Sequence, residues 1–274
     1  RIIVSDLNDN QFQEFKDQIK SIAETTGKSS TEVAQSFEMI AGLNSDFAKT
    51  STGLGMVSEG VITLSKAGNM ALDETASSLT GVMNQFNLGA SETDRVINVL
   101  AAGQAVGAAS VTDLSESFKN AGAVMSSANI SLENSVGIFE TLAKFGIKSA
   151  EAGTQASSAI ANLQKAQLGY STGQFNVNEA LEEFNTNLAK LKTDVEKDEY
   201  ALKIFGKTGI TTGKILTQNT KVINEFSKGV TGTTEAQRGA EIASNTLSAK
   251  WEELKNNLVT VVTTSDTSNG VLEM

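Results

Sequence analysis

Apolar residues recur along most of this chain at spacings of three and four, which is the pattern of amphipathic α-helices. The first stripe consists of Phe12, Phe15, Ile19 and Ile22, and it stops shortly before Gly27. Residues at these spacings share one face of a helix. The stripe therefore predicts a helix of about fifteen residues that ends before the glycine.

Polar residues of the kind that cap helices precede most of the later stripes. Ser29 and Glu32 have capping-box spacing at the head of one stripe. Further candidate caps are Ser91, Ser110 or Thr112, Ser131 and Ser149. Their spacing of about twenty residues fits a three-turn helix plus a short connection. This pattern predicts an all-α fold made of a succession of short helical hairpins.

Two stretches depart from the cap-and-stripe pattern. Residues 43–70 are rich in glycine and lack a clean capped helix. Val57, Val61 and Leu64 form a stripe that closes at Gly68, but glycines weaken its start, so the sequence leaves the local structure of this stretch open. Between residues 168 and 177, glycines separate two short stretches of alternating apolar positions. That alternation predicts a small β-hairpin.

A long amphipathic helix is predicted at the C-terminal end of the chain. Its stripe includes Leu247, Trp251, Leu254 and Leu258. These residues are either buried core or a surface that faces a partner helix. The predicted organisation is an N-terminal helix end over 1–28, a helical-hairpin core over 29–168, and the hairpin plus distal helices over 169–274.

Composition narrows the chemistry that this chain can perform. It has no cysteine and no histidine, which excludes disulfides, thiol nucleophiles, Cys/His zinc sites and histidine acid–base steps. The net charge of −10 disfavours nucleic-acid binding. No window of about 20 residues is continuously apolar, so no membrane span is expected. Neither a metal nor a cofactor is predicted.

Two kinds of candidate site have simpler explanations. Gly27-Lys28-Ser29 and Gly206-Lys207-Thr208 look like parts of a phosphate-binding loop, but each lacks the earlier glycine of that motif and follows an apolar stripe as a helix terminator does. Carboxylates are dense over residues 182–199, but Lys190, Lys192 and Lys197 lie among them. Mixed charges beside an apolar stripe are typical of a solvated helix face. No catalytic residue is assigned.

Several segments resemble the phage tail tape-measure protein family. One segment resembles its GIKGSxAGT sequence, with the serine one position early. This segment consists of Gly146, Ile147, Lys148, Ser149, Ala150, Glu151, Ala152, Gly153 and Thr154. The run that ends in Phe205 and Gly206 resembles an LxxLFG helix end, and residues 27–34 resemble a TGxSxxEVA opening. Residues 173–175 resemble its G-x-F hairpin, and the helix from Trp251 resembles its closing helix. The order and spacing of these segments agree over roughly residues 20–262.

The resemblance implies a structural piece of a much longer protein. Such a protein sets tail length during assembly, occupies the lumen of the tail tube in the virion after synthesis in the host cytoplasm, and leaves ahead of the DNA at ejection. The implied partners are the tail-tube protein, tail-assembly chaperones, the tail-tip hub and other copies of itself, with membrane contact only at ejection. The nine motif residues of structural interest are Gly146, Ile147, Lys148, Ser149, Ala152, Gly153, Thr154, Phe205 and Gly206.

Two other classes of function remain open at this point. One is a cell-wall-cleaving enzyme domain associated with a tail, which requires one carboxyl of raised pKa beside an ionised one. The other is a helical membrane-active or scaffold protein. A peptidoglycan turnover assay and a liposome leakage assay distinguish these two classes from a length-setting structural protein.

Overall fold

The structure is a computed structural model that describes residues 8–246, 250–252 and 254–257. The described residues form helices joined by turns, and they contain no β-strand. This confirms the all-α prediction. The α-helices are α1 (Asp9–Thr26), α2 (Ser30–Leu43), α3 (Ser51–Gly68), α4 (Leu72–Gln85), α5 (Thr93–Val106), α6 (Val111–Ser127), α7 (Leu132–Lys144), α8 (Ser149–Lys165), α9 (Val177–Ala189), α10 (Asp194–Gln218), α11 (Thr220–Gly229) and α12 (Glu235–Ser244).

Most predicted caps are present as hydrogen-bonded structures. Ser29 and Glu32 form the predicted capping box at the start of α2, and Ser110 forms one with Asp113 at the start of α6. Gly27 ends α1 with a φ of 66°, a left-handed conformation that glycine adopts without steric cost. The interpretation of Gly27 as a helix terminator is therefore confirmed.

Replacing Ser29 by alanine is expected to lower the free energy of unfolding by about 1 kcal/mol. The Ser29 hydroxyl accepts the N–H of Glu32 at 3.3 Å, and the Glu32 carboxylate accepts the N–H of Ser29 at 3.0 Å. Alanine removes the first of these bonds. Urea denaturation checks the result, with Ser30→Ala at the next position as the control. Equal effects of the two substitutions would contradict a capping role for Ser29.

The chain divides into two compact units. The first contains residues up to 80, residues 88–97 and residues from 236 onward. Within it α1, α2 and α3 pack against one another. The rings of Phe15 and Phe37 meet edge to face with centroids 6.3 Å apart. Val33, Ile40 and Val57 are buried in the same core.

Residues 43–70, whose local structure the sequence leaves open, contain the helix α3, which ends at Gly68 as the stripe of Val57, Val61 and Leu64 indicates. Thr50 caps it by accepting the N–H of Gly53 at 3.0 Å. Its glycines lie where other side chains come close. A Cβ on Gly55 would lie 2.5 Å from the Gln18 amide nitrogen, and one on Gly60 would lie 2.2 Å from the Thr93 methyl group. These glycines permit close packing rather than interrupting the helix.

The second unit contains residues 81–87 and 98–235. In it α6 packs on α8, α7 packs on α11, and α10 packs on α7, α8 and α9. In its core Phe118 meets both Phe86 and Phe139 edge to face, at centroid distances of 5.7 and 5.0 Å. Phe118 and Phe139 are almost completely buried.

The predicted β-hairpin near residues 168–177 is wrong. The stretch is a loop in which the N–H of Asn176 donates to the carbonyl of Gly169 at 2.9 Å. Two N–H groups in the first half of the loop, which a hairpin would pair with carbonyls of its second strand, donate to carboxylates of α9 instead. Glu183 accepts the N–H of Gly169 at 2.9 Å, and Glu179 accepts that of Ser171 at 3.0 Å. Side-chain acceptors therefore replace the ladder that a hairpin needs.

The predicted long C-terminal helix lies partly outside the described residues. The helix α12 ends at Ser244, before the predicted stripe that includes Leu247. Residues 250–252 and 254–257 are helical, whereas 247–249, 253 and 258–274 lie outside the described residues. The long helix therefore stays a prediction. Among the described helices, none combines the length and apolarity needed to cross a membrane.

Candidate functional site

The Gly146–Thr154 motif begins with the turn that joins α7 to α8. The N–H of Gly146 donates to the carbonyl of Ala143 at 2.9 Å, and that of Ile147 donates to Leu142 at 3.1 Å. This pair of bonds is a Schellman motif, and it requires a left-handed residue just after the helix. Gly146 has a φ of 84° and meets this requirement.

Ser149 does not cap α8, contrary to the prediction that it opens this helix. The N-cap residue is Lys148, whose side chain makes no capping bond. The Ser149 hydroxyl instead donates to Oδ1 of Asp113, in the first turn of α6. Ser117 donates to the carbonyl of Ser149 at 2.8 Å. Ser149 therefore joins α8 to α6.

Ser149 also has a backbone conformation that favours glycine. Its φ is 53°, in the left-handed region that costs non-glycine residues about 1 kcal/mol or more. This serine occupies the position at which the GIKGSxAGT pattern has its second glycine. The hydrogen bond to Asp113 offsets part of the backbone cost.

Replacing Ser149 by alanine is expected to destabilise the chain by about 1 kcal/mol more than replacing it by glycine. Both substitutions remove the bond to Asp113, but only glycine removes the left-handed strain. Urea denaturation of the two variants checks this order. Ser157, inside α8, is the matched control, because there alanine is expected to be more stable than glycine by about 0.5–1 kcal/mol. The same order at both positions would contradict the argument.

Gly153 lies on the face of α8 that packs against α6. A Cβ on Gly153 would lie 2.2 Å from the carbonyl oxygen of Ser117 and 3.0 Å from its Cα. Ala152 is buried beside it. Thr154 donates its hydroxyl to the carbonyl of Ala150 at 2.9 Å. The small residues of the motif thus allow the two helix backbones to approach closely.

Lys148 connects the motif to residues 107–110, which we call the 107–110 loop and which join α5 to α6. Its ammonium group donates to the carbonyl of Ala108. The N–H groups of Ala108 and Ala109 donate to Oε2 of Glu140 at 2.7 and 3.0 Å. Glu140 belongs to α7 and lies six residues before the motif begins. Two consecutive elements, α7 and the start of α8, therefore bind the same loop.

Glu140 is completely buried, with 0% of its surface exposed. Burial raises its pKa from 4.5 to about 7, against the opposing effects of the Ala109 and Ala108 N–H groups and of Lys148. Its second oxygen, Oε1, is buried and has no hydrogen-bond partner. An ionised carboxylate that is buried with one oxygen unpartnered raises the free energy of the folded state, and binding a proton removes this cost.

The pKa of Asp113 is shifted in the opposite direction from that of Glu140. Burial acts to raise its pKa, but the bonds from Ser149 and Ser110 and the charge of Lys148 outweigh it and lower the pKa below 3.8. One raised and one lowered carboxyl form the electrostatic pattern that acid–base catalysis uses. Glu140, however, has no surface open to a substrate, and its Oε2 already accepts two backbone N–H groups.

Phe205 and Gly206 lie elsewhere in the second unit. Phe205 is buried, and its ring centroid lies 5.1 Å from that of Phe184 on α9. Its carbonyl accepts the side-chain amide of Asn162 at 3.4 Å. Gly206 has a φ of 69° and interrupts the helical geometry of α10 at this point. This glycine is therefore a helix break, which agrees with its interpretation as a terminator.

The predicted partner-facing residues are only partly described. Trp251 and Leu254 are 62% and 49% exposed. Leu247 and Leu258 lie outside the described residues. The exposure of Trp251 and Leu254 disfavours the interpretation of these two as core. It does not identify a partner.

Glu140 is the main site residue that sequence reasoning missed. It follows Phe139 and lies four residues after Val136, so it falls on the apolar stripe of α7. A charged residue on an apolar stripe is the signal that could have singled it out, since such residues are rarely buried without a partner. The two backbone donors that bind it could not be seen from the sequence.

Comparison with known protein families gives a match over most of the chain. The family model of phage-related minor tail proteins matches residues 16–206. The match contains the Gly146–Thr154 motif, Glu140 and the 107–110 loop, and it ends at Gly206, where α10 is interrupted. No curated protein and no solved structure matches the chain.

Proposed function

Because the chain belongs to the phage-related minor tail protein family, we propose that it is a segment of a tape measure protein, which sets the length of the tail during assembly. Family membership makes it a structural component of the phage tail. The length-setting role is supported by the tape-measure segments that lie in order within the family match. The motif from Gly146 to Thr154, which joins α7, α8 and the 107–110 loop, carries most of this argument.

The all-helical structure suits a protein that measures length. A helix rises 1.5 Å per residue, so 274 residues drawn into one rod would span about 410 Å. In the structure the described residues form short packed helices. We propose that the segment is compact when free and becomes extended when chaperones or the tail tube hold it open.

Under this proposal the chain has the partners and the location of the tape-measure family. These partners are the tail-tube protein, tail-assembly chaperones, the tail-tip hub and further copies of the chain. The location is the lumen of the virion tail, from which the protein leaves ahead of the DNA. The proposed role needs no catalytic group and no cofactor.

Tail length measured by electron microscopy tests the proposal. Deleting residues 98–165, roughly 70 residues, from the parent gene is expected to shorten the tail by about 100 Å at 1.5 Å per residue. The matched control replaces the same residues by an unrelated helical sequence of equal length, which is expected to restore the original length. Tails of unchanged length in the deletion mutant would overturn the length-setting role.

The rival enzyme hypothesis has one specific observation in its favour, the carboxyl pair of Glu140 and Asp113. The full burial of Glu140 argues against it. A peptidoglycan turnover assay on the purified chain decides between the two. Turnover that disappears in Glu140→Gln would support the enzyme, and we expect no turnover. The membrane-active alternative predicts leakage from liposomes, which we also do not expect.

A further inference from the structure

The 107–110 loop depends on side chains of α7 and α8 for its backbone hydrogen bonds. Ala108 and Ala109 donate their N–H groups to Oε2 of Glu140, and the carbonyl of Ala108 accepts Lys148. Buried backbone groups need such partners, because an unpaired one is costly. If the Glu140 side chain left its place, the loop would lose two of its hydrogen bonds at once.

Two glycines of α5 and the loop make room for the Glu140 carboxyl group. A Cβ on Gly107 would lie 1.8 Å from Oε2, and a Cβ on Gly103 would lie 3.4 Å from Oε1. Oε2 is thus enclosed by backbone and binds the loop, whereas Oε1 has no donor. An ionised carboxylate needs donors on both oxygens when it is removed from water. The ionised form is therefore the less stable form in this place.

The charged groups around Glu140 compensate its charge only in part, because burial outweighs Lys148, which lowers the pKa of Glu140, and Asp113 opposes Lys148. Asp113 of α6 adds a second negative charge, and the positive charge of Lys148 lies on an exposed side chain that binds Ala108. Residues 98–110 carry no charged group. The charged residues of α11, which also packs on α7, are exposed, as is Lys144 on α7 itself. On α10, which packs on α7 as α6 and α8 also do, Lys214 is paired with Asp198.

We propose that Glu140 and the N–H groups of Ala108 and Ala109 form a proton-dependent latch, which holds the 107–110 loop on α7 when Glu140 is protonated and releases it when Glu140 is ionised. On release the carboxylate gains water and the proton passes to solvent. The pKa of about 7 for buried Glu140 places this change near neutral pH. The inference rests on the second unit alone and does not depend on the length-setting role.

Amide hydrogen exchange of the 274-residue chain, resolved by residue, tests the latch. The open state releases its proton near the ordinary pKa of 4.5 and the closed state near a pKa of about 7. The population of the open state is therefore expected to rise about tenfold per pH unit between these values and to level off above about pH 7. Protection of the Ala108 and Ala109 amides, corrected for intrinsic exchange, should fall by roughly 40-fold between pH 5 and pH 7.

Two variants and one internal reference make the result decisive. Glu140→Gln imitates the protonated form and should keep both amides protected at every pH. Glu225→Gln removes an exposed carboxyl on α11 and should leave the wild-type profile unchanged. The amide of Ile160, buried within α8, should keep its protection. If Glu140→Gln does not fold, the carboxyl carbon shift of Glu140 in the wild-type chain should titrate with the same midpoint as the amide protection.

Three outcomes would overturn the latch. The first is protection of Ala108 and Ala109 that does not change with pH in the wild-type chain. The second is an unchanged pH profile in Glu140→Gln. The third is an equal loss of protection at Ile160, because that would mean unfolding of the unit rather than release of the loop.

Discussion

Replacing Gly153 by alanine is expected to lower the free energy of unfolding by roughly 2–3 kcal/mol. The new Cβ would lie 2.2 Å from the carbonyl oxygen of Ser117 and 3.0 Å from two further backbone atoms of that residue. A backbone contact cannot be relieved by a change of rotamer, so α8 has to move away from α6. That movement also disturbs the bond between Ser149 and Asp113.

Gly81 provides the matched control for this substitution. It lies inside α4. Apart from its chain neighbours and the nearby backbone of α4, no heavy atom lies within 4 Å of a Cβ added there. Alanine at this position is expected to stabilise the helix by about 0.5–1 kcal/mol, since glycine loses more backbone entropy on folding. Urea denaturation of both variants checks the pair. Equal stability of Gly153→Ala and Gly81→Ala would show that the contact between α6 and α8 is not tight.

The glycines explain why the helices can be predicted from the sequence more completely than the packing between them. Gly27 and Gly146 end helices, and an apolar stripe followed by glycine is enough to predict that role. Gly60 and Gly153 lie inside helices, where neighbouring atoms leave no room for a Cβ. The residue type is the same in both cases. Only the tertiary structure distinguishes the two roles, which is why the sequence leaves the local structure of residues 43–70 open.

The loop at residues 168–177 has a similar explanation. Alternating apolar positions around glycines favour a hairpin when backbone groups are the only partners considered. Here Glu179 and Glu183 lie on the following helix and accept two of the N–H groups. Their acidic character is visible in the sequence, but their position over the loop depends on the folding of α9.

The candidate site is predicted only in part by the sequence. The motif residues Gly146 to Thr154 can be singled out by resemblance, and they do lie together at the junction of α7 and α8. Their connection to the 107–110 loop cannot be predicted, because it depends on residues far apart in sequence, such as Ala108 and Glu140. Non-local contacts of this kind leave no periodic signal.

The second large effect is expected from the pH dependence of stability. As the pH rises from 4.5 to about 7, Glu140 is expected to reduce the free energy of unfolding by up to about 3 kcal/mol, at about 1.36 kcal/mol per unit of pKa shift. The folded state binds the proton of Glu140 more tightly than the unfolded state does. The stabilisation from Glu140 is therefore complete below pH 4.5 and is lost as the pH rises through about 7.

Other carboxyl groups reduce the free energy of unfolding as the pH falls, which is opposite to the effect of Glu140. Ser29 and Lys28 lower the pKa of Glu32 although burial alone would raise it, and the Thr193 N–H lowers the pKa of Glu196. Together with Asp113, these groups contribute stability above the ordinary carboxyl pKa values and lose it as the pH falls below them. The highest stability is therefore expected near about pH 5, between the two effects.

Urea denaturation from pH 4 to pH 8.5 checks this profile in the wild-type chain and in Glu140→Gln. The variant should lose the decline between pH 5 and pH 7 and should be the more stable of the two at pH 8, because a neutral amide costs less to bury than a carboxylate. Glu225→Gln should follow the wild-type curve. A wild-type chain whose stability rises steadily from pH 5 to pH 7 would mean that the two N–H bonds from the 107–110 loop stabilise the ionised carboxylate more than its burial disfavours it.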